Sequence, residues 1–238
     1  MSDLVYPPVI ALCKTLFRAL DMRITVVGAE HLPRTGGAVL ASNHISYLDF
    51  IFCGLAAQPS RRLVRFMAKQ SVFTHRISGP LMRGMHHIPV DRDAGLASYK
   101  AALAALKDGE VVGVFPEATI SPSFTVKEIK SGASRMAAAA GVPLVPMAVW
   151  GTHRLWTKGR PRALTRRHTP ISIVVGEPMW PGRRDDQAAA GVALRTRMQE
   201  LLDQAQRDYP EKPSDPGDNW WLPAHLGGGA PVPEATVT

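Results

Sequence analysis

The apolar positions of this chain fall into two regimes. After Pro7 and Pro8, a pair suited to the first turn of a helix, Val9, Leu12, Cys13, Leu16, Phe17 and Leu20 recur at helical spacing and predict an amphipathic helix over residues 9–20. Lys14 and Arg18 lie off the centre of its apolar face, so this helix could pack on its own domain, lie flat in a headgroup layer, or do both. From residue 24 onward, short apolar runs alternate with helical patterns. Strands are predicted at 24–27, 38–41, 63–68, 88–90, 111–115, 144–149 and 171–175. The continuous run at 111–115 has the character of a strand buried on both faces. Helices are predicted at 49–57, from Leu96 to near Gly109, and at 131–140 ahead of Gly141. A last long helix carries Leu194, Met198, Leu201, Leu202 and Ala205 on one face, with Asp185 and Asp186 near its positive end.

Strands alternating with helices predict a single α/β domain with a mixed, largely parallel sheet flanked by helices. The expected organisation is an amphipathic segment at 1–23, the α/β domain at 24–209, and a Pro/Gly-rich tail at 210–238 without regular structure. The Trp220-Trp221 pair is the tail's one strongly apolar point of attachment. No leader peptide is expected from the N-terminal residues, and the 9–20 helix is too short and too charged to span a bilayer.

Charge sharpens this picture. A formal net charge of +8 implies contact with phosphate, whether in nucleic acid, at a membrane or on a soluble substrate. Two basic stretches contain no acid: 60–85, where Arg61, Arg62, Arg65, Lys69, Arg76 and Arg83 alternate with apolar residues, and 154–167. The first suits anionic headgroups with shallow insertion, although a solvated face would look the same. The second could meet a nucleotide phosphate, an acidic carrier protein or lipid. Cys13 and Cys53, each inside an apolar stretch, are expected to be buried free thiols.

Four short segments carry candidate chemistry. Asn43-His44-Ile45-Ser46-Tyr47-Leu48-Asp49 follows a strand and opens a helix. An imidazole titrates near working pH, and a carboxylate on its other nitrogen would fix its tautomer. Taken alone, the spacing is explained better by a surface histidine. Ile88-Pro89-Val90-Asp91-Arg92 ends in a guanidinium that fits phosphate or a surface ion pair. Phe115-Pro116-Glu117-Ala118-Thr119 follows a buried strand, where ligand sites of α/β sheets gather. Val142-Pro143-Leu144-Val145-Pro146 reads as structural.

In order and spacing these segments resemble the glycerolipid acyltransferase family typified by 1-acyl-sn-glycerol-3-phosphate acyltransferase. Its signature runs Asn-His-four residues-Asp, a strand ending in Val-Asp-Arg, Phe-Pro-Glu-Gly-Thr-Arg-Ser, and Val-Pro-x-x-Pro. The resemblance covers residues 24–177 and implies a glycerol-3-phosphate acyltransferase-like fold. It implies His44 as base and Asp49 as its orienting partner. Asn43, Arg92, Glu117, Thr119, Lys127 and Lys130 become substrate-binding candidates, with Arg92 on the acceptor phosphate. It implies acyl transfer from acyl-CoA or acyl-ACP, with no cofactor or metal, to the free hydroxyl, sn-2, of 1-acylglycerol 3-phosphate. The expected place is the cytoplasmic face of the cell membrane, as a peripheral or monotopic protein on an anionic surface. A different acceptor is the alternative: a lysophospholipid, a glycolipid or glycerol 3-phosphate. On this reading Ser46 fills the motif and is no nucleophile.

Three positions depart from the signature: Ala118 and His86 stand where glycine is usual, and Ile120 where arginine is. Lys127 and Lys130 are the nearest replacements for the lost cation. Two rivals of other classes are a metal-dependent hydrolase built on His44, Asp49, His86, His87 and Glu117, and a nucleic-acid binder. Adjacent histidines on a strand point apart, and no nucleic-acid motif accompanies the charge.

Overall fold

The computed structural model describes residues 3–91, 95–215 and 217–233. Its centre is a seven-stranded sheet: β1 (Arg23–Val27), β2 (Ala38–Ser42), β3 (Val64–Lys69), β4 (Ile88–Val90), β5 (Val111–Val114), β6 (Leu144–Trp150) and β7 (Pro170–Val175). They lie in the order β1-β7-β6-β2-β5-β3-β4. Every pair is parallel except β6–β7. The mixed, largely parallel sheet expected from the sequence is therefore present.

Alternation along each strand divides the core in two. Val39 and Ala41 of β2 face one layer, with Val112 and Val114 of β5 and Leu144, Ala148 and Trp150 of β6. That layer is closed by α5 (Gly95–Lys107), α6 (Gly132–Ala140) and α7 (Gln187–Arg207). Ala38 and Leu40 face the other, under Phe52 and Cys53 of α2 (Asp49–Ala56). Asp186 caps α7, accepting from the N–H groups of Ala188 and Ala189. Leu194, Met198, Leu201, Leu202 and Ala205 are all buried, as their spacing predicts.

The first helix, α1 (Tyr6–Ala19), begins three residues before the predicted start, with proline in its first turn. Its apolar residues serve two surfaces. Tyr6 is buried and donates to the Val64 carbonyl at 2.9 Å, and Phe17 stacks on Phe52 at 4.9 Å. Leu12 and Leu16 point outward, 60% and 51% exposed.

The basic stretch 60–85 contains two short helices that the sequence pattern did not reveal, α3 (Gln70–Thr74) and α4 (Ser78–Gly84). Each is too short to display a periodic face. Two of its arginines also turn inward, so only part of the stretch is free to meet headgroups. Arg65 is buried, paired with Asp3 at 2.7 Å and Glu110 at 3.1 Å, and it donates to the Met85 carbonyl. Arg62 donates to the carbonyls of Pro33, Gly36 and Gly109. In the second stretch Arg154 is buried against Tyr209 and Glu211. Lys69, Arg76 and Arg83 remain exposed.

Among its described residues the tail has no strand and one turn of 3-10 helix, at Ala224–Leu226. Trp221 is fully buried against Tyr209, and Trp220 is half-buried. Both cysteines are free thiols; Cys53 is buried, as expected, but Cys13 only half so.

Arg65 ties the N-terminal segment to the sheet, so its loss should be felt in stability. Arg65→Met is expected to cost about 2 kcal/mol by urea denaturation. That is less than for a fully buried pair, because Asp3 and Glu110 keep contact with water.

Candidate active site

The site forms beyond the carboxyl ends of β2 and β5, adjacent strands at the centre of the sheet. β2 runs into Asn43 and His44; β5 runs into Phe115 and Glu117. The chain then turns so tightly that Asp49, the first residue of α2, meets His44 from below. His44 Nδ1 lies 2.9 Å from Asp49 Oδ2. The same oxygen accepts from the N–H groups of Ile45 and Ser46, both at 2.7 Å. Asp49 Oδ1 accepts from the Thr152 hydroxyl at 2.5 Å. Both oxygens of a carboxylate with no solvent exposure are thus engaged. His44 keeps 21% of its side chain exposed, and no described residue bonds its Nε2.

The third motif holds His44 from the other side. Glu117 Oε1 accepts from the His44 N–H at 2.8 Å, and Oε2 from the Lys127 N–H at 3.1 Å. Ser121 N–H donates to the His44 carbonyl at 2.7 Å. Phe115 stacks on the His44 ring, centroids 4.4 Å apart and planes 22° apart, and Phe66 lies behind Phe115 at 5.9 Å. Gly113 makes room for this stack, since a Cβ there would sit 2.5 Å from the Phe66 ring.

Three readings of the sequence need correction or restriction. Asn43 is fully buried, and both ends of its amide bond the backbone of Val149, as acceptor at 2.7 Å and donor at 3.0 Å. It splices the motif onto β6 and has no face for a substrate. Ser46 does more than fill space: its hydroxyl donates to the Trp156 carbonyl at 2.6 Å and accepts from the Leu48 N–H. Arg92 lies outside the described residues. Lys127 Nζ donates to Thr119 Oγ1 at 2.5 Å on the exposed side of the same loop, and Lys130 is exposed just before α6. Ile120 is buried, so it leaves no vacancy that a headgroup would fill.

The two departures at glycine positions have one explanation. Ala118 and His86 adopt φ of 60° and 55°, the left-handed region where glycine is free and other residues are strained. The fold keeps the signature's backbone although the glycines are gone. Thr152 was missed, since it lies 103 residues from Asp49 in the chain and belongs to no motif.

His86 and His87 do not act together. His87 is buried, accepts from the Phe66 N–H at 3.0 Å, and burial pulls it down to about 4. Among the described residues no three His, Cys, Asp or Glu side chains gather as a metal site.

A central α/β sheet with a histidine–carboxylate pair beyond its strand ends is a frame for proton-assisted group transfer. The chain belongs to the acyltransferase family, whose model matches residues 23–150. It is 31% identical over 188 residues to the 1-acyl-sn-glycerol-3-phosphate acyltransferase of Bacillus subtilis (strain 168), covering 75% of this chain and 87% of that one. It is 30% identical to a protein of the same name from Chlamydomonas reinhardtii, with 80% of this chain and 58% of the relative aligned. The chain thus spans most of the bacterial relative and little over half of the algal one. The crystal structure of the 1-acyl-sn-glycerophosphate (LPA) acyltransferase PlsC from Thermotoga maritima shares the fold. Its TM-score is 0.70 at 22% identity, covering 86% of this chain and 81% of that one.

Burial pushes the Glu117 carboxyl up to about 7, against the pull of its two N–H bonds and the Lys127 charge. A carboxyl raised from 4.5 holds its proton more firmly in the folded chain. Its contribution therefore favours the folded state at low pH and is lost as pH rises from about 4.5 to about 7. Glu117→Gln removes this slope. Compared by urea denaturation at pH 4.5 and pH 8, the variant should gain on wild type at the higher pH by on the order of 3 kcal/mol. A difference independent of pH would reject the account.

Proposed function

We propose that this enzyme transfers a fatty acyl group from a thioester donor, acyl-CoA or acyl-ACP, to the sn-2 hydroxyl of 1-acylglycerol 3-phosphate, making phosphatidic acid. The observation that carries the reading is the 2.9 Å contact between His44 Nδ1 and Asp49 Oδ2. With Nδ1–H donated to the carboxylate, the lone pair of Nε2 is left facing the open side of the site. Nε2 takes the proton of the acceptor hydroxyl as its oxygen attacks the thioester carbonyl. The tetrahedral intermediate collapses, the C–S bond breaks, and the thiolate recovers the proton from the imidazolium. Asp49 stabilises that imidazolium, and the bonds to Glu117 and Ser121 keep the ring in place. The transfer needs no metal and no covalent enzyme intermediate. The names of the relatives, the half-buried Lys127 and the exposed Lys130 support a phosphate-bearing acceptor. Arg92, from the second motif, is assigned to its phosphate, and Thr119 to the same rim through Lys127.

His44→Ala should lower the rate of transfer from oleoyl-CoA by about 10²–10⁴-fold without unfolding the chain. Asp49→Asn should approach the same loss for a different reason. Its amide oxygen could still receive the three N–H groups, but the charge that stabilises the imidazolium is gone. Near-normal turnover in both variants would remove the reading.

The proposal includes peripheral binding to the cytoplasmic face of the membrane. Among the described residues no helix is long and apolar enough to cross a bilayer. Leu4, Leu12 and Leu16 near and on α1, and Val72, Ile77 and Leu81 near and on α3 and α4, are exposed. The N-terminal segment packs on α4, because a Cβ at Gly84 would meet the Val5 side chain at 2.7 Å. Exposed Lys14, Arg18 and Arg76 accompany these residues. Phosphatidylglycerol-containing vesicles should sediment more of the protein than phosphatidylcholine alone, and salt should release part of it. Leu12→Glu/Leu16→Glu should release the salt-resistant part. Binding that ignores both lipid charge and these leucines would refute the surface assigned.

A further inference from the structure

We propose that Thr152 is a positioning residue for the His44–Asp49 pair, and that the C-terminal segment acts on the pair through the turn that carries Thr152. The inference rests on the catalytic reading above. Asp49 has two oxygens with different tasks. Oδ2 faces His44 and the loop N–H groups, whereas Oδ1 has one described donor, the Thr152 hydroxyl. Both side chains are fully buried, so no bulk water can replace that donor. Without it the carboxylate could rotate about its Cβ–Cγ bond, and Oδ2 would leave the line of the Nδ1–H bond.

Thr152 is held from behind. It stands in a 3-10 turn, Thr152–Arg154, entered through Gly151 at φ 94°. A Cβ on Gly151 would lie 2.3 Å from the Pro170 carbonyl and 3.0 Å from the Tyr209 hydroxyl, so the turn is pressed against β7 and the end of α7. The next two residues face the C-terminal segment. His153 Nε2 lies 2.9 Å from the Trp221 carbonyl. Arg154 bonds Tyr209 and Glu211, and its guanidinium lies 4.3 Å from the Trp221 ring centroid. The turn then runs on to Trp156 and Thr157. The Trp156 carbonyl accepts from the Tyr47 N–H and the Ser46 hydroxyl, and Thr157 donates to the Ile45 carbonyl at 2.7 Å. One segment therefore bonds Asp49 and its loop on one side and the tail on the other.

The test compares Thr152→Val, Thr152→Ser and Arg154→Met with wild type and His44→Ala. Oleoyl-CoA and 1-oleoylglycerol 3-phosphate serve as substrates, and folding is checked by circular dichroism. Thr152→Val should lower kcat about 10–100-fold with KM changed less than about threefold, since the pair is displaced and the substrate contacts are not. Thr152→Ser, which keeps the hydroxyl, should recover most of kcat. The proton resonance of His44 Nδ1–H should move or broaden in the valine variant and hold in the serine variant. This readout does not depend on turnover. Arg154→Met, remote from the pair, should lower kcat several-fold and broaden the same resonance; if the valine variant does not fold, this variant and serine decide. Wild-type kcat and resonance in Thr152→Val, or a serine variant as poor as valine, would overturn the role of Thr152. An unaltered resonance in Arg154→Met would remove the tail from it. If His44→Ala itself retains turnover, the catalytic reading has failed; if it is inactive while Thr152→Val is normal, only this inference has.

Discussion

A carboxylate taken out of water must have its lone pairs filled, and Asp49 fills them from four directions. His44 Nδ1, two consecutive backbone N–H groups and the Thr152 hydroxyl converge on it, with no solvent in reach. Each donor belongs to a different constraint. The backbone pair requires residues 45 and 46 to turn back over the start of α2. The imidazole requires β2 to end where it does, and the hydroxyl requires β6 to continue into its turn. Removing any one would leave a buried charge under-satisfied, which is costly. The tight loop between His44 and Asp49 is therefore shaped by the charge it encloses.

Much of this was legible in the sequence because it is periodic or local. All seven strands lie within a residue or two of their predicted bounds, and α2, α5, α6 and α7 follow from apolar spacing and end signals. The His44–Asp49 contact is local as well, five residues apart. What was not legible is non-local. Asn43 reads as a polar residue beside a catalytic histidine, yet it pairs with Val149, 106 residues away. Thr152 is one of many threonines until β6 lies beside β2. Helices α3 and α4 are shorter than two helical repeats and carry no face to detect.

The signature's glycines show how a motif encodes backbone and not only chemistry. Ala118 and His86 hold the left-handed conformation that glycine adopts at no cost. The strain persists because the surroundings over-determine it. Ala118 is followed by the loop that returns through Ser121 to the His44 carbonyl, and His86 leads into buried His87 and β4. The substitution at Ile120 is of another kind. Its side chain is buried where the signature has an arginine.

A net charge of +8 is not a measure of basic surface. Arginine can satisfy carbonyls and carboxylates inside a protein while its stem fills apolar space, and this chain uses it so repeatedly. Arg65 fastens the N-terminal segment to β3, Arg62 ties three loop carbonyls, and Arg154 seats the tail on the turn beside Asp49. A count of basic residues within 60–85 or 154–167 therefore overstates what a phosphate could meet. The positive charge left for substrate or lipid is smaller, and it includes Lys14 and Arg18 on α1, Lys69, Arg76 and Arg83 around α3 and α4, and Lys127 and Lys130 on the loop that also holds Glu117. The lysines stand on the segment that fixes His44 through Glu117. An anion bound by them would be tied by one short stretch of chain to the His44–Asp49 pair.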